Sequence, residues 1–282
     1  MNLQLKKAEK KKVKIKIGLQ GSAGSGKTYS ALKMALGMTD NDITKIAVID
    51  TENGSASLYS DIFGEFLTLE LAPPFTPERC IEAINICEKA DVKVIIFDSI
   101  SHEWIGEGGI INLAESMAGN SFTNWGKLTP RHNRFINRIL SCQKHMICTM
   151  RSKQDYILVE NEKGKMAPEK VGMKSVTRDG VDYEFTLNFD IDIKNFATAT
   201  KDRTSLFKNK PEAKIDESTG KTIIEWCEHG KDLPEPTEEQ FKALLTYLGG
   251  DEKQKEAARS GLTKYNLNEL QQKQILEASK KQ

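Results

Sequence analysis

The chain has 282 residues, with 41 Lys and Arg against 40 Asp and Glu, a formal net charge of +1. That balance excludes nucleic-acid binding by bulk charge, so any nucleic-acid surface must be local. No run approaches the roughly 18 apolar residues of a membrane span. The lysine-rich first sixteen residues lead into no apolar segment of the kind a secretory signal needs, so a cytoplasmic protein is expected.

From Lys6 to Lys16 the chain reads as a solvated tail and edge strand. Val13, Ile15, Ile17 and Leu19 then alternate as a strand does, and Leu32, Ala35 and Leu36 recur at helical spacing. Between them lies GSAGSGKT, in which Gly21, Gly26, Lys27 and Thr28 satisfy G-x-x-x-x-G-K-[ST]. A strand before such a loop and a helix after it are what a phosphate cradle requires: backbone N–H groups for phosphate oxygens, a lysine for the β- and γ-phosphates, a hydroxyl for Mg²⁺. The expected nucleotide contacts are Gly21, Ser22, Ala23, Gly24, Ser25, Gly26, Lys27, Thr28 and Tyr29. ATP and Mg²⁺ are the expected cofactors.

KIAVID (45–50) is a second core strand, and the loop TENGSASLY after it leaves the strand end where ligands bind in open α/β sheets. Asp50 and Glu52 are expected to face the nucleotide there. Glu52 is a candidate base, and an ordinary loop charge fits its position equally well. Leu67 to Leu71 is a short third strand, Thr76 an N-cap and Pro77 the first residue of a helix that buries Cys80 and Cys87. The five cysteines lack C-x-x-C spacing and read as reduced core thiols, and the four histidines show no zinc-ligand spacing. VKVIIFD (92–98) is a buried strand ending in Asp98, a Walker B pattern, which makes Thr28 and Asp98 the candidate metal ligands.

Residues 101–127 are punctuated by glycine and hold Trp104, Phe122 and Trp125. Ile110 to Met117 is helical in pattern, whereas NSFTNW reads as an exposed loop whose Phe122 and Trp125 either stack on bases or anchor the loop. A helix is expected from Pro130, then a core strand HMICTM (145–150). Arg151 to Arg178 carries seven basic and four acidic residues and reads as a mobile loop or a β-excursion. It leaves the same sheet edge as the phosphate loop, so Arg151, Lys153, Lys163, Lys165, Lys170 and Lys174 are candidate nucleic-acid contacts, with a solvated hairpin as the plain alternative.

Val181 to Ile193 alternates as one half-buried strand, and a turn at Lys194-Asn195 leads into its antiparallel partner. Lys201 and Arg203 fall on one side of that partner, suited to phosphate contact in a neighbouring subunit or to an ordinary charged strand end. Residues 208–222 look turn-rich, and IIEWCEHG closes a core assigned to 1–230. LPEPTEEQ opens a small helical module, 231–282, with Thr237 capping toward Gln240. Its nine basic and nine acidic residues cancel, which favours packing or partner docking over electrostatic DNA binding.

Taken together, GSAGSGKT, VIDTE, VIIFDS, CTMRSK and the late K-x-R resemble RecA-like ATPases in order and spacing over residues 13–207. DSISHEW, TPRHN, TMRSK and ATATK-x-RTSLF are similar to stretches of phage-encoded RecA-like proteins of single-strand annealing and recombination. The resemblance implies an α/β fold: a RecA-like P-loop NTPase core with a mainly parallel twisted sheet flanked by helices, plus a C-terminal antiparallel strand pair and the helical module. It implies that Glu52 polarises the attacking water and that Lys27, Lys201 and Arg203 stabilise the transferred phosphoryl group, the last two in the adjacent protomer of a ring or filament. Thr149 or Arg151 stands where the recombinases carry a glutamine that senses the γ-phosphate. The stretches 104–126 and 151–178 fall where the family's two single-stranded-DNA-binding loops emerge. The implied function is ATP-dependent single-stranded-DNA binding in annealing or recombination. A single-strand-binding or replication protein is the kind of partner expected at the C-terminal module. A helicase or helicase loader, and a nucleotide-switch scaffold without DNA binding, are the other classes the sequence admits.

Overall fold

The computed structural model describes residues 5, 7–160, 166–232, 234–248, 261–262 and 264–280. Strands β1 (Lys16–Gly21), β2 (Ile46–Asp50) and β4 (Val94–Asp98) are buried at every position. Runs apolar on both faces are what a parallel sheet covered by helices on each side demands. With β3 (Leu67–Glu70), β5 (His145–Glu160), β6 (Met166–Ser175), β7 (Leu187–Ile191) and β8 (Ala197–Asp202) they form one sheet of order β3-β2-β4-β5-β1-β7-β8. The first six of these pair in parallel, β8 runs antiparallel to β7, and β6 pairs antiparallel with β5 off the main path. This is the expected α/β architecture with its antiparallel pair. Val13, expected within the first strand, lies outside it and is 40% exposed.

Helices α1 (Lys27–Met38), α3 (Pro77–Lys89) and α6 (Ser121–Ser141) supply most of the helical cover, with a single turn α2 (Ser60–Phe63) between. Thr76 caps α3 by accepting from the Arg79 N–H at 3.4 Å, and Cys80, Ala83, Ile84 and Cys87 face the core. All five cysteines are buried thiols. Burial raises Cys87 and Cys142 to about 11, and raises Cys80 and Cys148 as well.

Several expectations fail. The stretch 101–127 is not a long loop: α4 (Ser101–Ile105) and α5 (Ile110–Ser116) occupy it, and α6 begins at Ser121. NSFTNW is thus a cap and a first turn, with Asn120 Oδ1 accepting from the Phe122 N–H at 2.8 Å. Pro130 lies inside α6 rather than at its start. A proline there forfeits one backbone bond, but the apolar stripe of Leu128, Phe135, Ile136 and Ile139 is buried, and such burial outweighs local propensity.

Val181 to Ile193 is not one strand. A 3₁₀ turn, Val181–Tyr183, follows Gly180 at φ 92°, and only Leu187–Ile191 joins the sheet. Val181 and Phe185 are buried in the main core instead, so the apparent alternation combines two environments. Residues 217–222 are helical: α7 (Glu217–Glu228) is opened by Asp216, whose Oδ1 accepts from the Thr219 N–H at 2.9 Å. Of the two forms expected for 151–178, the structure adopts the β-excursion, a hairpin of β5 and β6 with a register shift at Asp155/Tyr156.

The chain divides into two compact units, residues 15–224 and residues 1–14 with 225–282. In the second, the N–H groups of Lys12 and Val13 donate to the carbonyls of Lys231 and Cys227 at 3.1 and 3.2 Å, so the basic start is partly tied down. Helix α8 (Glu238–Leu248) carries the reciprocal cap expected of Thr237 and Gln240, at 2.9 and 3.3 Å. Leu244, Leu248 and Leu262 form its small core.

Candidate nucleotide and metal site

The first parallel strand ends at Gly21, and the loop to Lys27 turns through Gly24 and Gly26 at φ 77° and 81°, values only glycine adopts without strain. A Cβ at Gly21 would lie 2.4 Å from Ser25 Oγ and 2.6 Å from the Ile191 carbonyl oxygen. Lys27 Nζ donates to the carbonyls of Gly21 and Ser22 at 3.0 and 2.8 Å. Burial holds its ammonium below the ordinary lysine range, with Asp98 and Glu52 opposing that shift. Among the described residues the buried Ser25 hydroxyl has no hydrogen-bond partner. Asn195, in the β7–β8 turn, donates from Nδ2 to the Ser25 carbonyl at 2.9 Å, so that hairpin braces the loop from outside.

Asp98 ends β4 and is 1% exposed. The Thr28 hydroxyl donates to its Oδ2 at 2.5 Å and the Thr149 hydroxyl to its Oδ1. Burial raises the Asp98 pKa, and these two hydroxyls pull it back. Thr28 and Asp98 present hard oxygen donors, which suit Mg²⁺. Among the described residues no three His, Cys, Asp or Glu side chains gather at one point. A magnesium ion held at this pair would take few protein ligands and would draw the rest from phosphate and water.

Asp50 does not face the site as expected. It is buried, and its two oxygens accept from the N–H groups of Glu52 and Ala56 at 2.6 and 2.8 Å, shaping the loop that carries Glu52. Glu52 itself reaches out and pairs with Arg151, whose Nη2 and Nε lie 2.9 and 3.1 Å from Oε1. Thr149 and Arg151, the two sensor candidates, thus hold Asp98 and Glu52 respectively.

Tyr29 sits at the rim, its ring 6.3 Å from that of Tyr59 and 5.1 Å from that of Phe63. Burial, and after it the charges of Asp98 and Glu52, raise the Tyr59 pKa.

Lys201 and Arg203 are brought together but not to this loop. Both donate to the Tyr183 carbonyl, Arg203 at 3.4 Å. Lys201 pairs with Asn188, which pairs with Gly18, so it lies about 10 Å short of Gly21 along the strands, two strands away.

A second feature adjoins the centre. A cleft of about 540 Å³ is lined by Trp104, Ile105, Ile111, Lys153, Lys174 and Arg178, with Asp179 paired to Lys174 at 2.8 Å. Its aromatic is Trp104, not either residue singled out from the sequence. Trp125 packs on Trp104 with ring centroids 5.8 Å apart, and Phe122 projects from α6, 88% exposed. Lys170 falls in β6, while Lys163 and Lys165 lie outside the described residues.

Asn195, Tyr59 and Phe63 belong to no motif that singles them out in the sequence, and Trp104 stands there only as one aromatic of three. Curated proteins give no match. Among solved structures, the KaiC-like protein PH0186 from the hyperthermophilic archaeon Pyrococcus horikoshii OT3 is 16% identical, with 67% of this chain and 79% of that chain covered. Its TM-score of 0.39 is too low to carry an argument. A family model described as an AAA domain matches residues 13–231, which include every residue of the phosphate loop as well as Glu52, Asp98 and Arg151. This P-loop NTPase therefore belongs to the AAA_24 family of AAA domains.

Proposed function

We propose that the chain is a Mg²⁺-dependent ATPase that binds single-stranded DNA and serves annealing or recombination. The observation that carries this reading is the course of β5. Thr149, Arg151 and Lys153 succeed one another at alternate positions, the first on Asp98, the second on Glu52, the third in the basic cleft beside Trp104. One strand thereby touches the metal carboxylate, the candidate base and a surface that suits an unstacked base with its phosphates.

In this reading Lys27 leaves the loop carbonyls for the β- and γ-phosphates, and the loop amides cradle the remaining oxygens. Thr28 and Asp98 would hold Mg²⁺, which when bound would supply positive charge at the phosphates. Glu52 orients the water that attacks the γ-phosphorus as ADP leaves, and Arg151, paired with Glu52 at 2.9 Å, would share its charge between that carboxylate and the phosphate. Lys201 and Arg203, short of their own loop, act on the ATP of the next copy in a ring or filament. Assembly on ATP then sets DNA affinity, and hydrolysis releases the strand. The helical module docks a single-strand-binding or replication protein.

The test is imaging and ATP turnover with single-stranded DNA, with and without a non-hydrolysable ATP analogue, beside Lys27→Ala. Nucleotide-dependent filaments or rings on DNA, lost in Lys27→Ala, are expected. Failure to bind DNA in any nucleotide state would leave a nucleotide switch, and ATP-driven unwinding of a forked duplex would make it a helicase.

A further inference from the structure

We propose that His102 is a positioning residue for ATP hydrolysis, setting the place of Glu52 through the hydroxyl of Thr51. Thr51 is the residue before Glu52 and is almost wholly buried. Its N–H donates to the Asp98 carbonyl at 2.8 Å, and its Oγ1 accepts from the Ser99 N–H at 2.7 Å. That leaves the hydroxyl one proton to give. His102 Nδ1 lies 2.6 Å away, closer than the Asp98 and Ser99 carbonyl oxygens, both at 3.1 Å.

The neutral imidazole with its proton on Nε2 is the form that accepts this bond. Burial, and after it the Arg151 charge, favour the neutral ring, while Glu52 and Asp50 oppose them. The ring is itself held. Phe75 stacks on it at 5.0 Å with 22° between the planes, and the next residue, Glu103, shares a hydrogen bond with His132 Nδ1 of α6 at 2.9 Å.

The link therefore runs from a fixed imidazole to a saturated hydroxyl to the residue carrying the candidate base. Without the imidazole, the hydroxyl has only the two longer acceptors, and the loop holding Glu52 gains a pivot. Small misplacements of a reacting group cost up to about a hundredfold in rate. The same short helix carries Trp104 into the cleft, so its placement also bears on the proposed DNA surface.

This inference rests on the assignment of Glu52 as the water-orienting carboxylate, so Glu52→Gln is measured alongside. His102→Ala should lower kcat about ten- to a hundredfold while KM for ATP stays within about twofold. His102→Asn, whose Oδ1 occupies the place of Nδ1, should recover most of the rate, and His102→Gln should not. Thr51→Val should mimic His102→Ala, and the double variant should be no worse than either alone. Unchanged kcat in His102→Ala, with Glu52→Gln inactive, overturns the role of His102 alone. Glu52→Gln at the wild-type rate overturns the reading beneath it as well. A joint loss of kcat and ATP affinity that His102→Asn does not restore would reduce His102 to a packing residue.

Discussion

Replacing Lys16 with methionine should remove a specific dependence of stability on pH. Lys16 begins β1, is 4% exposed, and donates to the carbonyls of Cys142 and Lys144 at 2.7 and 2.8 Å. Burial, partly offset by Cys142, Glu88 and Cys148, lowers its pKa from 10.5 to about 8. Between those values the unfolded chain binds more protons than the folded one, so stability rises with pH. At 1.36 kcal/mol per pH unit the full effect is about 3.4 kcal/mol, present above pH 10.5 and lost as pH falls through 8. The raised thiols of Cys80, Cys87, Cys142 and Cys148 act in the opposite sense above their ordinary range, so absolute stability is a poor readout. The difference between the two proteins cancels them to first order. Urea unfolding at pH 7.5 and pH 10 should show the wild type gaining about 2 kcal/mol on Lys16→Met across that interval. A gap constant to within about 0.5 kcal/mol would refute the argument.

Two further outcomes are expected. Gly220→Ala would place a Cβ 2.0 Å from the Met34 carbonyl oxygen, where α7 crosses α1. The helices must part, costing about 1–3 kcal/mol in urea unfolding, and unchanged stability would show that the crossing has slack. Trp104→Ala should weaken single-stranded DNA binding by about 1–3 kcal/mol in a fluorescence titration. An equal loss in Phe122→Ala and none in Trp104→Ala would move the stacking surface onto α6.

What was legible in the sequence was what a few neighbouring residues decide. Gly24 and Gly26 make the turn, Asp98 ends an apolar run, and Thr76 and Thr237 cap helices within three residues of themselves. The rest depends on partners far along the chain. The Arg151–Glu52 pair spans 99 residues, and the Asn195–Ser25 bond spans 170. Neither leaves a periodic trace. The alternation at 181–193 misled because burial in a core and burial in a sheet look alike in a hydrophobic pattern. Pro130 misled because its local cost is real yet smaller than what the buried face of α6 returns. Trp104 was overshadowed by Phe122 and Trp125, since no spacing rule tells which of three aromatics lines a cleft formed by distant residues.

β5 pairs with β1 only from Met146 to Arg151, and then continues to Glu160 beside β6 alone. The distal hairpin therefore owes its form to its own ladder and contributes nothing to the register of the central sheet. Side chains alternate with a period of two, so removing one residue from each strand near its base would exchange the two faces of the ladder beyond, while removing two from each would preserve them. The machinery at Asp98 and Glu52, anchored on the near end of the same strand, would stay as it is.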